Sequence, residues 1–121
     1  SYCYKFKYNL LAIQYACEEG LINVLEWWSN LCKNSDYELK YDENAINNAS
    51  LKGHIHILNW FANSGYEFKY GIHIINTACS TNRLDVLEWF KNSEYELKYD
   101  KTAITNASSN GHVHILEWFK N

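Results

Sequence analysis

The chain has 121 residues, 47% hydrophobic and 21% charged, with a formal net charge of -3, which gives it the length and apolar content of one domain with a real core. The slightly acidic balance lacks the clustered Lys and Arg excess that drives binding to nucleic acid, so that partner class is not expected. No apolar run approaches membrane-spanning length, and the opening SYCYKFKYNLLAIQYACEEG is too polar and too aromatic for the apolar core of a signal peptide, so an intracellular protein without a membrane partner is expected.

In chain order, the first element is a short extended segment within residues 1–8, Tyr4-Lys5-Phe6-Lys7-Tyr8, which alternates with period two and reads as a return strand. Four copies of one unit follow. Tyr8 to Trp27, Tyr41 to Trp60, Tyr70 to Trp89 and Tyr99 to Trp118 are each 19 residues apart, and successive tryptophans lie 33, 29 and 29 residues apart. The longer first step reflects four extra residues, roughly Ser29 to Cys32, just after Trp27-Trp28. The copies are repeat one (9–41), repeat two (42–70), repeat three (71–99) and repeat four (100–121). A fixed period in this range marks stacked supersecondary units, each unable to bury its apolar face alone.

Each copy begins with a short helix A carrying a stripe of small residues, as in NAINNASLK at 44–52. A glycine (Gly20, Gly53, Gly111) or Asn82 follows, where the chain must leave one helix through a left-handed residue. Helix B comes next, as in HIHILNWFAN, with Ile55, Ile57, Leu58, Trp60 and Phe61 on one wide apolar face. The tryptophans Trp27, Trp60, Trp89 and Trp118 are expected to pack in the core on that face. The near-identical peptides SDYELKYD, SGYEFKYG and SEYELKYD then switch to period two and are expected to be extended connectors with Leu39, Phe68 and Leu97 turned one way. The recurring Lys40, Lys69 and Lys98 and Glu38, Glu67 and Glu96 read as alternating rows that neutralise each other.

These residues resemble the ankyrin repeat. Asn44-Ala45-Ile46-Asn47-Asn48-Ala49-Ser50-x-x-Gly53-His54-Ile55-x-Ile57-Leu58 is similar to the family pattern T-P-L-H-x-A-A-x-x-G-H-L-x-V-V, with Gly65 to Tyr70 in place of its G-A-D-V-N-A return. The likeness spans the chain and is clearest at Gly53-His54 and Gly111-His112; the Pro is missing throughout, and the 29-residue period is about four short. The wording is similar to ankyrin arrays of giant amoeba-infecting viruses and protists. The resemblance implies an all-α, ankyrin-type solenoid of stacked helix-turn-helix repeats with short connectors. Solenoids need atypical terminal units with a polar outer face, and neither the opening return strand nor the final helix B looks capped, so the array is expected to continue beyond both ends of the 121 residues, with fraying of the last hairpin or end-to-end self-association of the isolated chain as a consequence.

No carboxylate pair, Ser/His/Asp set or Gly-rich phosphate loop recurs, so no catalytic residue, cofactor or metal is expected. His54-x-His56 and His112-x-His114 are spaced to point to different helix faces. Cys17 and Cys79 fall in the small-residue slot of helix A that Ser50 and Ser108 fill, and read as packing residues. What remains is the exposed side of helix A, which in ankyrin-like stacks lines the concave surface. There, one row would hold Gln14, Asn47, Asn76 and Thr105 and the next Glu18, Leu51, Ser80 and Ser109, polar side chains suited to recognising another protein. Leu10, Leu11 and Tyr15 add an apolar cluster in repeat one. The expected function is a non-enzymatic scaffold that binds a protein partner on this face. The alternatives are an assembly component of a viral particle or, by analogy with viral ankyrin proteins, a substrate adaptor of a ubiquitin ligase.

Overall fold

A computed structural model describes residues 9–121, and the expected return strand at 1–8 lies outside them. Within the described residues the chain is all-helical: α1 Asn9–Glu19, α2 Ile22–Lys33, α3 Glu43–Leu51, α4 Ile55–Ser64, α5 His73–Ser80, α6 Leu84–Asn92, α7 Lys101–Ser109 and α8 Val113–Lys120. They form four helical hairpins, and the chain divides after Lys69 into two compact units of two hairpins each.

The turn inside each hairpin is set by one residue with positive φ: Gly20 at 72°, Gly53 at 74°, Asn82 at 59° and Gly111 at 72°. The left-handed residue lets the next amide turn back onto the helix just finished. Leu21, His54, Arg83 and His112 each donate a backbone N–H to the alanine carbonyl five residues earlier, at 2.8 to 2.9 Å, which satisfies part of the open helix end. That alanine is fixed because the same position faces the packed side of helix A: Ala16, Ala49, Ala78 and Ala107 are all buried. At the other end, Asp42 and Asp100 cap α3 and α7, accepting the backbone N–H of Asn44 and Thr102 at 2.9 Å.

In the first unit α1 lies against α3 and α2 approaches α4; in the second α5 lies against α7. The buried columns are Ile13, Cys17, Leu25, Ala45, Ile57, Leu58 and Phe61 in one, and Ile75, Cys79, Val86, Leu87, Phe90, Ala103 and Ile115 in the other. The tryptophans are not in these columns. Phe61 and Phe90 fill the core, whereas Trp60, Trp89 and Trp118 are half-buried and Trp27 is 56% exposed. An indole carries an N–H that must be satisfied, and on the flank of helix B it reaches a partner that the core could not offer: Trp60 Nε1 donates to Glu26 at 3.0 Å and Trp118 Nε1 to Glu88 at 2.8 Å.

The extra residues of repeat one do not form a loop. They lengthen α2 to 12 residues against 10, 9 and 8 in the other B helices. The connectors form no regular strand; they are held instead by side chains. Tyr41 Oη donates to the Glu67 carbonyl at 2.6 Å and Tyr70 Oη to the Glu96 carbonyl at 2.9 Å. Lys69 and Lys98 sit 4.4 and 4.2 Å from the ring centres of the same two tyrosines. Lys69 and Lys98 are therefore engaged with tyrosine faces. Burial, then Glu67, Tyr66 and Glu38, push the Tyr41 phenol up to about 12, so it stays a donor across the physiological range. Tyr66 and Tyr95 stack on Trp60 and Trp89 at 5.9 and 6.0 Å.

Two outcomes follow from this packing. Phe61→Ala should lower unfolding free energy by about 3–5 kcal/mol, the range for truncating a buried aromatic, whereas Trp27→Ala should change it by no more than about 1 kcal/mol; urea titrations decide, and equal losses would contradict the core assignment. At Asp100, hydrogen bonds from Thr102 and then Asn76 hold the carboxyl below its ordinary value of 3.8. A depressed carboxylate stabilises the fold above its unfolded pKa and loses that contribution as pH falls through the folded one. Asp100→Asn keeps a capping side chain without the charge, so it should flatten the fall in stability below about pH 4.

Candidate interaction face

The candidate face is held in register by contacts between neighbouring hairpins. In the first unit His54 Nε2 donates to the Glu18 carbonyl at 2.9 Å and His56 Nε2 to the Gly20 carbonyl at 2.9 Å. The Glu18 carbonyl belongs to the last turn of α1 and the Gly20 carbonyl to the turn just after it, where no further helical partner follows. In the second unit His112 Nε2 donates to the Ser80 carbonyl at 3.0 Å, joined by Asn110 Nδ2 at 3.4 Å. The Gly-His pair thus has two jobs, since the glycine ends one helix and the histidine caps the preceding helix A. Gly20 shows the closeness: a Cβ there would lie 3.0 Å from His54 Nδ1.

On this frame the ten candidate residues divide sharply. In the first unit Leu11 and Tyr15 are 43% and 58% exposed, one helical turn apart on α1, with Leu10 beside them, and Leu51 of α3 is also exposed. Gln14, Glu18 and Asn47 are part-exposed around them, although the Asn47 Oδ1 atom itself is buried without a partner. In the second unit Asn76 does not belong to the surface at all. It is 8% exposed, its Nδ2 donates to Asp100 Oδ1 at 2.9 Å and its Oδ1 accepts the Asp100 N–H at 3.4 Å, so it locks α5 to the start of α7. Thr105 and Ser109 are exposed, but their hydroxyls donate to the Lys101 and Asn106 carbonyls of their own helix. Ser80 is part-exposed and contributes its carbonyl to His112. A surface of apolar anchors edged by amides therefore exists on α1 and α3, and its counterpart on α5 and α7 is largely self-satisfied.

The structure adds a cleft that the repeat pattern did not single out. It lies between α2 and α4, has a volume of about 420 Å³, and is lined by Ile22, Glu26, Ser29, Lys33, His56, Asn59, Trp60, Asn63 and Ser64. Of the four extra residues of α2, Ser29 lines the cleft and shares a 2.9 Å hydrogen bond with Tyr66 beneath it, and Lys33 follows one turn further on. The interruption of the 29-residue period was its signal in the sequence. Burial pushes Cys17 up to about 12 and Cys79 up to about 11, which keeps both in the thiol form at neutral pH, a poor nucleophile and ligand. Among the described residues no three His, Cys, Asp or Glu side chains gather as a metal site, and no helix is long and apolar enough to cross a membrane.

Comparison of the chain with known family models, with curated proteins and with solved structures finds no match.

The histidine clasp has a direct test. Gly20→Ala and Gly65→Ala both place a Cβ on left-handed backbone, at φ 72° and 84°, but only the first meets the His54 ring, the second facing open space. Gly20→Ala should therefore be the more destabilising, by about 1–3 kcal/mol in total, and thermal melts showing equal losses would mean that the clasp is loose.

Proposed function

We propose that this chain is an ankyrin-type helical-repeat scaffold, without catalytic activity, that binds another protein through the helix-A surface of its first unit. The observation that carries this reading is the exposure of Leu11 and Tyr15 on α1, at positions where repeat two has the polar Asn44 and Asn48. Exposing a tyrosine and leucines side by side costs solubility and is kept in proteins chiefly where a partner covers them. Tyrosine is a frequent energetic anchor at interfaces, offering a large amphipathic surface for little lost rotamer freedom. Gln14, Glu18 and Asn47 would form the polar rim, with Leu51 extending the apolar centre onto α3. The free, buried thiols of Cys17 and Cys79 fit a reducing, intracellular setting.

A role as an assembly subunit is the second reading, favoured by the exposure of Ile104 at 38% where Ile13 and Ile75 are fully buried. The readings separate in a capture experiment from native lysate, with circular dichroism as the folding control. Leu11→Lys with Tyr15→Lys should weaken capture of a partner by about 100-fold or more, as the loss of two anchors implies. Asn59→Lys with Asn63→Lys, in the α2–α4 cleft, should leave it unchanged. The reading fails if the cleft pair abolishes capture and the α1 pair does not.

A further inference from the structure

The B helices share one spelling, and the first two depart from it at positions that line the α2–α4 cleft. Repeats three and four read Leu87-Glu88-Trp89-Phe90-Lys91-Asn92 and Leu116-Glu117-Trp118-Phe119-Lys120-Asn121. In repeat one the insertion falls between Trp28 and Lys33, so the lysine stands one helical turn further along α2 and the small, buried Ser29 occupies its former place. Repeat two reads Leu58-Asn59-Trp60-Phe61-Ala62-Asn63, with an amide for the glutamate and an alanine for the lysine. Ser29, Lys33, Asn59 and Asn63 all line the cleft. Relative to the repeat, the cleft has lost a negative charge and a bulky stem from its middle and keeps a positive charge at one end.

The two helices run the same way, since His56 bonds to Gly20 just before α2 and Trp60 bonds to Glu26 further along it, so Lys33 and Asn63 fall at the same end. Both helices finish there, and their carbonyl ends alone would repel an anion; the Lys33 ammonium reverses that. Asn59 and Asn63, both exposed, are one turn apart, a rise of about 6 Å, close to the ~6.6 Å between alternate residues of an extended chain. A carboxamide offers both a donor and an acceptor, which is what a peptide backbone presents in return. We propose that this cleft binds the C-terminal end of another polypeptide in extended conformation, its carboxylate held by Lys33 and Asn63 and its preceding backbone amides by Asn59 and Glu26. A terminal carboxylate continues the line of backbone groups that the two asparagines meet, whereas a side-chain carboxylate stands off that line. The Trp60 ring, fixed by Glu26 and by stacking on Tyr66, supplies the apolar wall beside it. Recognition is through backbone and terminus, so it does not depend on the visitor's side chains. The site belongs to the B helices and takes a ligand separate from the partner of the α1 and α3 surface.

Titration of N-acetyl-trialanine into the whole chain, followed by nuclear magnetic resonance, tests this. The free acid should shift resonances of α2 and α4 with a dissociation constant of about 1 mM or lower, and the same peptide with an amidated C-terminus should bind at least tenfold more weakly. Lys33→Gln should weaken binding of the acid at least tenfold and leave the amide unchanged, and Lys33→Arg should keep most of the affinity. Asn59→Glu, which restores the residue of the other repeats, should also weaken the acid. Leu11→Lys with Tyr15→Lys should have no effect, which keeps this site distinct from the α1 surface; circular dichroism checks that each variant is folded. The proposal is overturned if the acid does not bind at ten times the expected constant, if acid and amide bind equally, or if Lys33→Gln changes nothing. Acetate binding as tightly as the peptide acid would also overturn it, because the cleft would then hold an anion without reading a chain.

Discussion

A helical hairpin of about twenty residues has apolar surface on two sides and can cover only part of it by folding onto itself. That constraint governs everything else here. Ile13 on α1 and Leu25 on α2 are fully buried in a unit where α3 and α4 lie alongside, and Ile75 and Leu87 are fully buried in the unit that also holds α7 and α8. With nothing else to rely on, each hairpin would expose these residues to water and lose about 1.5–3 kcal/mol for every such side chain. The compact unit is a pair of hairpins, and the repeated letters are the terms on which a pair is made.

Those terms are specific as well as apolar. Histidine to the helix-A carbonyl, tryptophan to glutamate, tyrosine hydroxyl to connector carbonyl and lysine over tyrosine ring are four separate contacts that must be satisfied in one alignment. A hydrophobic column alone tolerates sliding by a turn, but directional contacts at three heights do not. They also divide the surface by task. Helix B, the connectors and the end of helix A are committed to neighbours, which leaves the outward side of helix A free to vary without loss of fold. Repeat one uses that freedom for leucine and tyrosine, and repeat four for threonine and serine that bond back to their own helix.

Much of this was legible in the residues. The period, the two helices of each repeat, the left-handed turn at Gly20, Gly53, Asn82 and Gly111, and the packing role of Cys17 and Cys79 all follow from spacing and from the conformational preferences of single residues. What could not be read was which of two adjacent aromatics goes inside. Trp60 and Phe61 are equally apolar in a pattern, and the choice between them was made by the indole N–H, whose acceptor, Glu26, lies 34 residues away in sequence. Asn76 escaped for the same reason: its partner Asp100 belongs to the next repeat, and only the fold shows that its amide is spent indoors. Lys69 and Lys98 looked like part of a charge ladder because the rings they cover, Tyr41 and Tyr70, belong to the preceding connector, 28 residues away in sequence in each case. The cleft between α2 and α4 takes one of its lining residues, Ser29, from the four that merely looked like an interruption.

The central claim is that neighbouring hairpins are coupled through these paired side chains and not by apolar contact alone, and a double-mutant cycle on Trp60 and Glu26 addresses it most directly. Trp60→Phe keeps an aromatic ring and removes the N–H, Glu26→Gln removes the charge, and urea unfolding of the two single variants and the double variant isolates the pairwise term. The account predicts a favourable coupling of about 0.5–1.5 kcal/mol, the scale of a charge-assisted hydrogen bond at a part-exposed site. Strictly additive losses, with no coupling between the two positions, would contradict it.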